Sequence, residues 1–148
     1  MLLYKLKGVY KIMIFNLENI ENLKNKTNSG LTEYVCDYII DNWDSSRDDD
    51  DNKSILTDIL EYGCESGSCS DLTYYSQTLK FYEDYENEIN ELLSNLLDSY
   101  GCKSPSKLFG KNWDNTDPLA RSEHNQNLLA WFAFEETMRN VASEFNIW

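Results

Sequence analysis

Two cysteines lie close enough in the sequence to do chemistry together. Cys64 and Cys69 are separated by four residues, a spacing that suits a pair of zinc ligands. A second close pair, which a complete zinc site needs, is missing, and the only histidine, His124, is remote in sequence. A cysteine paired with His124 would make a nucleophile, but this histidine lies in a polar stretch that is typical of a surface. The pattern favours separate buried or half-buried thiols and predicts no metal, no cofactor and no catalytic residue.

Oxygen ligands cluster in a second stretch, between Lys111 and Pro118. Asp114, Asn115 and Asp117 carry the atoms that bind Ca²⁺ or Mg²⁺. The stretch lacks the glycine and the distal glutamate of an EF-hand loop. Asp117 is interpreted more simply as a turn or helix N-cap, with the following proline at the first helical position.

Acidic residues dominate the middle of the chain. The whole sequence has 26 acidic and 13 basic residues and a formal net charge of -13. Residues 41–100 hold sixteen acids and three bases, so this segment carries the full net charge. This excess of acidic residues argues against a protein that binds nucleic acid or an anionic membrane through a basic surface of its own.

Two sets of carboxylates in this segment form the candidate partner-binding site. The first, called the acidic run, is Asp48, Asp49, Asp50 and Asp51. The second, called the helix stripe, is Asp84, Glu88, Glu91 and Asp98. On an ideal helix the stripe lies within about 80°, with ~6 Å of rise between carboxylates four residues apart. That spacing predicts a surface that imitates a polyanion; the other interpretation is a solvated helix face plus a flexible acidic loop.

The elements that must position these residues are helical. Apolar residues at three- and four-residue spacing predict a mainly α, compact single-domain helical bundle. The fourth helix is the clearest and carries the stripe opposite a Leu/Tyr face. Its apolar positions are Tyr82, Tyr85, Ile89, Leu92, Leu93, Leu96, Leu97 and Tyr100.

Helix ends follow from polar caps and glycines. We expect a first helix begun by Asn16, a second capped near Thr32, and a third after the loop 44–52. The last long helix spans about residues 122–145. Four glycines are expected just past helix ends: Gly30, Gly63, Gly101 and Gly110. Strand signals are confined to residues 4–15, which predicts at most a short strand or hairpin.

Aromatic side chains cluster on the last helix. Trp131, Phe132 and Phe134, with Trp113 and Trp148, make this helix apolar most of the way round. Such a helix is usually central and buried. The alternative is a hydrophobic contact with a partner or a second copy.

The N-terminal residues show neither a secretory signal nor a membrane span, which favours a cytoplasmic protein without membrane contact. The codons for residues 7–9 could contain a ribosome-binding sequence, which would place the start of translation at Met13. We therefore expect residues 1–12 to be a possible N-terminal extension and residues 13–148 to form the acidic helical domain.

Several blocks resemble a family of small acidic proteins of unknown function. They are LTDILEYGCESG at 56–67, YYS at 74–76, FY at 81–82, FGKNWD at 109–114, DPLA at 117–120 and NLLAWFAFEE at 127–136. The resemblance covers roughly residues 31–145. It implies a gene carried by phages, plasmids or conjugative elements of low-GC bacteria, a setting in which small acidic proteins resemble anti-restriction and anti-CRISPR inhibitors.

Charge and resemblance together predict a non-enzymatic inhibitor of a host nuclease or other nucleic-acid-binding protein. It would act by nucleic-acid mimicry or by blocking a basic groove, without binding nucleic acid directly. One alternative is an accessory binding module of a mobile element that uses a hydrophobic contact through Trp131, Phe134 or Trp148. The other is a small metal- or thiol-dependent enzyme.

Overall fold

The computed structural model describes residues 3–6, 9–117 and 119–148, with side chains from residue 13 onward. It is mainly α and forms one compact domain, which confirms the predicted fold class. The seven α-helices of the described residues are α1 (Leu17–Lys26), α2 (Gly30–Asn42), α3 (Asp49–Asn52), α4 (Ser54–Tyr62), α5 (Tyr75–Ser99), α6 (Ser106–Phe109) and α7 (Glu123–Glu144). Single 3-10 turns span Cys64–Ser66, Ser70–Leu72 and Gly110–Asn112.

A short hairpin precedes the helices, as the strand signals suggested. Strands β1 (Leu3–Leu6) and β2 (Val9–Ile12) pair antiparallel, with Leu3 opposite Ile12 and Leu6 opposite Val9. Lys7 and Gly8 of the proposed extension lie outside the described residues, and the extension stays a prediction.

The centre of the molecule is α7, which packs against α5, α2 and α4. Its alanines at 130 and 133 and the ring of Phe134 are completely buried, and the small residues let the neighbouring helices approach closely. Tyr38 meets Phe134 edge-on at a centroid distance of 5.3 Å. Trp113 is buried as well and stacks on Phe109 at 5.5 Å. The aromatic cluster is therefore mostly core, as its position on an all-round apolar helix predicted.

Polar caps set most helix starts where the sequence placed them. Asn16 Oδ1 accepts from the Asn19 N–H at 2.8 Å to begin α1, and Ser122 Oγ accepts from the Asn125 N–H at 3.2 Å to begin α7. Gly63, Gly101 and Gly110 all have positive φ at or just past helix ends, as predicted.

The start of α2 corrects two expectations. Its cap is Ser29, whose Oγ accepts from the Thr32 N–H at 3.1 Å, so Thr32 is not the cap. Gly30 is the first residue of α2 and does not terminate α1. A Cβ at Gly30 would lie 3.1 Å from both Glu88 Oε2 and Tyr85 Cε1, so a close approach between α2 and α5 explains this glycine.

Candidate acidic interface

The acidic run is an ordered helix and not the flexible loop that one interpretation expected. Asp48 caps α3: its Oδ1 accepts from the Asp51 N–H at 2.7 Å. Asn52, which is fully buried, holds the preceding segment. Its Oδ1 accepts from the Asp44 N–H at 3.0 Å, and its Nδ2 donates to the carbonyls of Asp44 and Asp48, each at 3.0 Å. One buried amide therefore fixes the backbone that presents the run.

The four carboxylates of the run face solvent. Asp50 pairs with Lys53 at 2.7 Å. Asp49 and Asp51 form no ion pair with any residue that the structure describes. These two carboxylates are the part of the run most available to a partner.

A kink in α5 divides the helix stripe. Tyr85 has φ -123° and ψ 22°, which is outside the helical range. Asp84 lies before the kink and pairs with Lys80 at 2.6 Å, whereas the other three stripe residues follow it. The stripe is therefore not the single straight face that ideal helical spacing predicted.

Glu88 is engaged inside the molecule. Its carboxylate accepts hydrogen bonds from the Ser29 hydroxyl and, at 3.0 Å, from the Leu31 N–H. Both donors lie at the N-terminus of α2, where a helix favours negative charge. Glu91 and Asp98 are exposed and form no ion pair among the described residues. Of the stripe, these last two are free to meet a partner.

Glu88 of the helix stripe and the acidic run lie at opposite ends of α2. Glu88 contacts its N-terminus, and the acidic run follows its C-terminal cap, Trp43. The 13 residues of α2 span roughly 20 Å. The length of α2 thus separates Glu88 from the acidic run.

Two of the four cysteines flank one tight turn. Cys64 and Cys69 are buried on either side of Gly67, which has φ 84°. The Cys69 side chain and burial raise the pKa of Cys64, whereas the Cys64 side chain lowers the pKa of Cys69. The sequence pattern favoured buried or half-buried thiols, and both of these cysteines are buried and free.

The segment proposed for a divalent cation is a capped turn. Asp117 accepts from the N–H groups of Arg121 and Ser122, both at 2.8 Å. These bonds lower its pKa from 3.8 to about 2. Buried Asn125 donates through Nδ2 to the carbonyls of Asp114 and Asp117, at 3.0 and 3.1 Å. The turn interpretation of Asp117 is confirmed, whereas the helix cap itself is Ser122; Pro118 lies outside the described residues.

A family model for a domain of unknown function, DUF7222, matches residues 20–147. The chain belongs to this family. No curated protein and no solved structure matched the chain.

The DUF7222 match begins within α1 and continues through α7. It therefore includes all eight carboxylates of the candidate interface and the Cys64–Cys69 pair. The hairpin β1–β2 precedes it.

The sequence raises metal and histidine alternatives but does not predict them. Across the described residues, no three His, Cys, Asp or Glu side chains group closely enough to hold a metal ion. None of the helices described is long and apolar enough to cross a membrane. His124 is exposed, and its Nε2 contacts the Asn112 carbonyl.

Little of the surface named for a hydrophobic partner contact is exposed. Phe134 is completely buried. Trp131 is half-buried, and its Nε1 donates to the Leu72 carbonyl at 2.9 Å. Of the three residues named for that contact, Trp148 is the one that is largely exposed, at 56%.

Proposed function

We propose that this chain inhibits a nucleic-acid-handling defence enzyme of a bacterial host, in the manner of anti-restriction or anti-CRISPR proteins. It would be encoded by a mobile element, act in the host cytoplasm and cover the basic groove in which the enzyme holds nucleic acid. No catalytic step is part of this proposal.

The ordered acidic run is the observation that carries the proposal. Asp49 and Asp51 are exposed carboxylates on a backbone fixed by the Asp48 cap and by the three hydrogen bonds of Asn52. An ordered charged surface loses less conformational freedom on binding than a flexible loop. Exposed carboxylates also accelerate association with a basic partner and make it sensitive to salt.

The separation of the two acidic sets fits an extended basic groove better than a point contact. Roughly 20 Å along α2 corresponds to about six phosphates of one strand of duplex DNA. The run and the pair Glu91 and Asp98 would thus engage two different parts of such a groove. Because they are well separated, their contributions to binding should be nearly additive.

Competition with DNA tests the proposal directly. DNA-binding proteins from a low-GC bacterial lysate are loaded on a duplex-DNA resin at about 0.1 M salt, where charges interact over about 10 Å. Addition of the purified chain should elute a nuclease or another nucleic-acid enzyme. The same enzyme should bind the immobilised chain at about 0.1 M salt and leave it at about 1 M salt, where screening acts within about 3 Å.

Two matched variants separate a specific surface from net charge. The test variant neutralises the four free carboxylates, through Asp49→Asn, Asp51→Asn, Glu91→Gln and Asp98→Asn. The control removes the same charge from exposed acids outside the central segment, through Glu18→Gln, Glu21→Gln, Glu33→Gln and Glu123→Gln. Elution by the control but not by the test variant supports the proposal. Equal elution by both variants contradicts it.

A further inference from the structure

A cavity of about 390 Å³ opens between α2, the second 3-10 turn and the first turns of α5. Part of its wall is aromatic: the rings of Tyr34 and Phe81 meet edge-on at a centroid distance of 4.8 Å. The carboxylates of Asp71 and Asp84 and the amine of Lys80 line the rest of it. The cavity therefore joins two features that bind organic cations, an aromatic surface and negative charge.

Asp71 is the carboxylate of the cavity that has no cation beside it. It is half-buried, its Oδ2 accepts from the Tyr34 hydroxyl at 3.5 Å, and it forms no ion pair with any described residue. Burial raises the pKa of Asp71, because a carboxylate that has lost water is unfavourable in its charged form. Folding has already removed part of this water, so an entering cation would be attracted more strongly here than at a fully exposed carboxylate.

Hydrogen bonds hold the turn that carries Asp71 in place. The Gln77 Oε1 accepts from two backbone N–H groups just before α5, both at 2.9 Å, and its Nε2 donates to the Ser70 carbonyl at 3.1 Å. From α7, the Trp131 Nε1–H donates to the Leu72 carbonyl at 2.9 Å. The carboxylate is thus fixed before any partner arrives, which reduces the conformational freedom lost on binding.

The geometry favours a guanidinium over an ammonium group. A guanidinium is flat, weakly hydrated and able to lie against an aromatic ring, and its five N–H donors can reach more than one carboxylate. Asp84 is the second carboxylate here. Its ion pair with Lys80 joins two exposed side chains, and such a pair contributes little stability, so a competing cation can displace it.

We propose that this cavity receives an arginine side chain of the nucleic-acid enzyme that the acidic interface covers. The guanidinium pairs with Asp71, lies against the Tyr34 ring and reaches Asp84 once Lys80 moves aside. The inference rests on the proposed function, because an enzyme that holds nucleic acid lines its groove with arginine and lysine. It adds a contact at a carboxylate, Asp71, that lies outside the acidic run and the helix stripe.

Nuclear magnetic resonance tests the cavity with a defined probe. Acetylated and amidated Gly-Arg-Gly is titrated into the ¹⁵N-labelled full chain at low ionic strength, and Gly-Lys-Gly with the same ends is the control peptide. The amide signals of Asp71, Gln77 and Lys80 should shift and saturate. The arginine peptide should bind about threefold or more tightly than the lysine peptide, owing to its contact with the aromatic wall. Absence of these shifts, or equal affinity for both peptides, overturns the proposal.

Two matched variants locate the bound guanidinium. Asp71→Asn keeps the size of the side chain but removes its charge, and it should weaken binding of the arginine peptide about tenfold or more. Asp98→Asn makes the same change at an exposed carboxylate of α5 and should leave the affinity unchanged. Equal affinity in Asp71→Asn and the wild type overturns the proposal. The spectrum of each variant reports whether it folds, and the comparison of the two peptides on the wild type does not depend on the variants.

The same probe separates this inference from the proposed function. The variant that neutralises Asp49, Asp51, Glu91 and Asp98 keeps the cavity, so it should still bind the arginine peptide after it has lost competition with DNA. Absence of peptide binding in a wild-type chain that competes with DNA overturns this inference alone. Peptide binding by a chain that displaces no nucleic-acid enzyme overturns the proposed function and, with it, the assigned source of the arginine.

Discussion

Glu88 caps α2 from another helix: its Oε2 accepts a hydrogen bond from the Leu31 N–H over 3.0 Å, although the two residues are 57 positions apart. The same carboxylate also holds the hydroxyl of Ser29, the cap residue of α2. A carboxylate that appears in the sequence as one of a series of surface charges is thus a link between α5 and α2. Glu88 therefore has a structural role, whereas Glu91 and Asp98 of the same stripe are exposed.

Replacement of Glu88 by alanine should therefore lower stability, whereas the same change at Glu91 should not. Glu88→Ala leaves the Leu31 N–H and the Ser29 hydroxyl without their partner, and we expect the free energy of unfolding to fall by about 1–2 kcal/mol. Glu91→Ala, on the exposed face of the same helix, should change it by less than about 0.5 kcal/mol. Urea unfolding followed by circular dichroism measures both, and equal effects would contradict the cap.

Asn52 should matter more to the acidic run than any of its aspartates. Asn52→Ala removes three hydrogen bonds at a fully buried site. Because the Asp44 N–H loses its acceptor and a fully buried amide is removed, we expect a loss of about 2–4 kcal/mol. Asn25→Ala, at an exposed position of α1, is the control and should stay within about 0.5 kcal/mol. A loss at Asn52 below about 1 kcal/mol would mean that the run does not depend on this amide.

The sequence predicted the local features of this fold well. Apolar spacing located α5 and α7, and the caps Asn16 and Ser122 are where their side chains suggested. These features depend on neighbours three or four residues away, which periodicity reports directly. Seven of the eight acidic candidates are exposed, whereas Glu88 is half-buried against α2. Their role as a partner site stays a prediction.

Long-range contacts were not predictable in the same way. Glu88 and Asp84 share a helical spacing, but one caps α2 and the other pairs with Lys80, a difference that depends on which helix packs beside α5. Asn52 gave no signal, since a single asparagine among aspartates is also typical of a loop. The kink at Tyr85 also could not be predicted, because no proline or glycine lies beside it in the sequence.

Stability near pH 3 should depend on Asp117. Its pKa is 3.8 in the unfolded reference and about 2 in the folded protein, because backbone N–H groups donate to the charged form. The charged carboxylate therefore stabilises the fold above about pH 4, and this contribution is lost as pH falls toward about 2. The Asp117→Asn variant should have a lower urea midpoint than the wild type at pH 5, and the difference should shrink at pH 3. A difference that is constant between the two pH values would contradict this assignment.

Trp131 should stabilise the turn that follows Cys69, while Trp148 should not affect it. The Trp131 Nε1–H donates to the Leu72 carbonyl at 2.9 Å, and Leu72 is fully buried. Trp131→Phe keeps an aromatic ring but leaves this carbonyl unpaired, so we expect a loss of about 1–3 kcal/mol. Trp148→Phe changes an exposed side chain and should stay within about 0.5 kcal/mol.

Amide hydrogen exchange locates the effect of Trp131→Phe. Because the lost bond anchors the second 3-10 turn to α7, exchange should accelerate at residues 70–72 more than in α5 or α2. Uniform acceleration across the protein would instead show that Trp131 supports the core as a whole, and the turn would then have no separate stability.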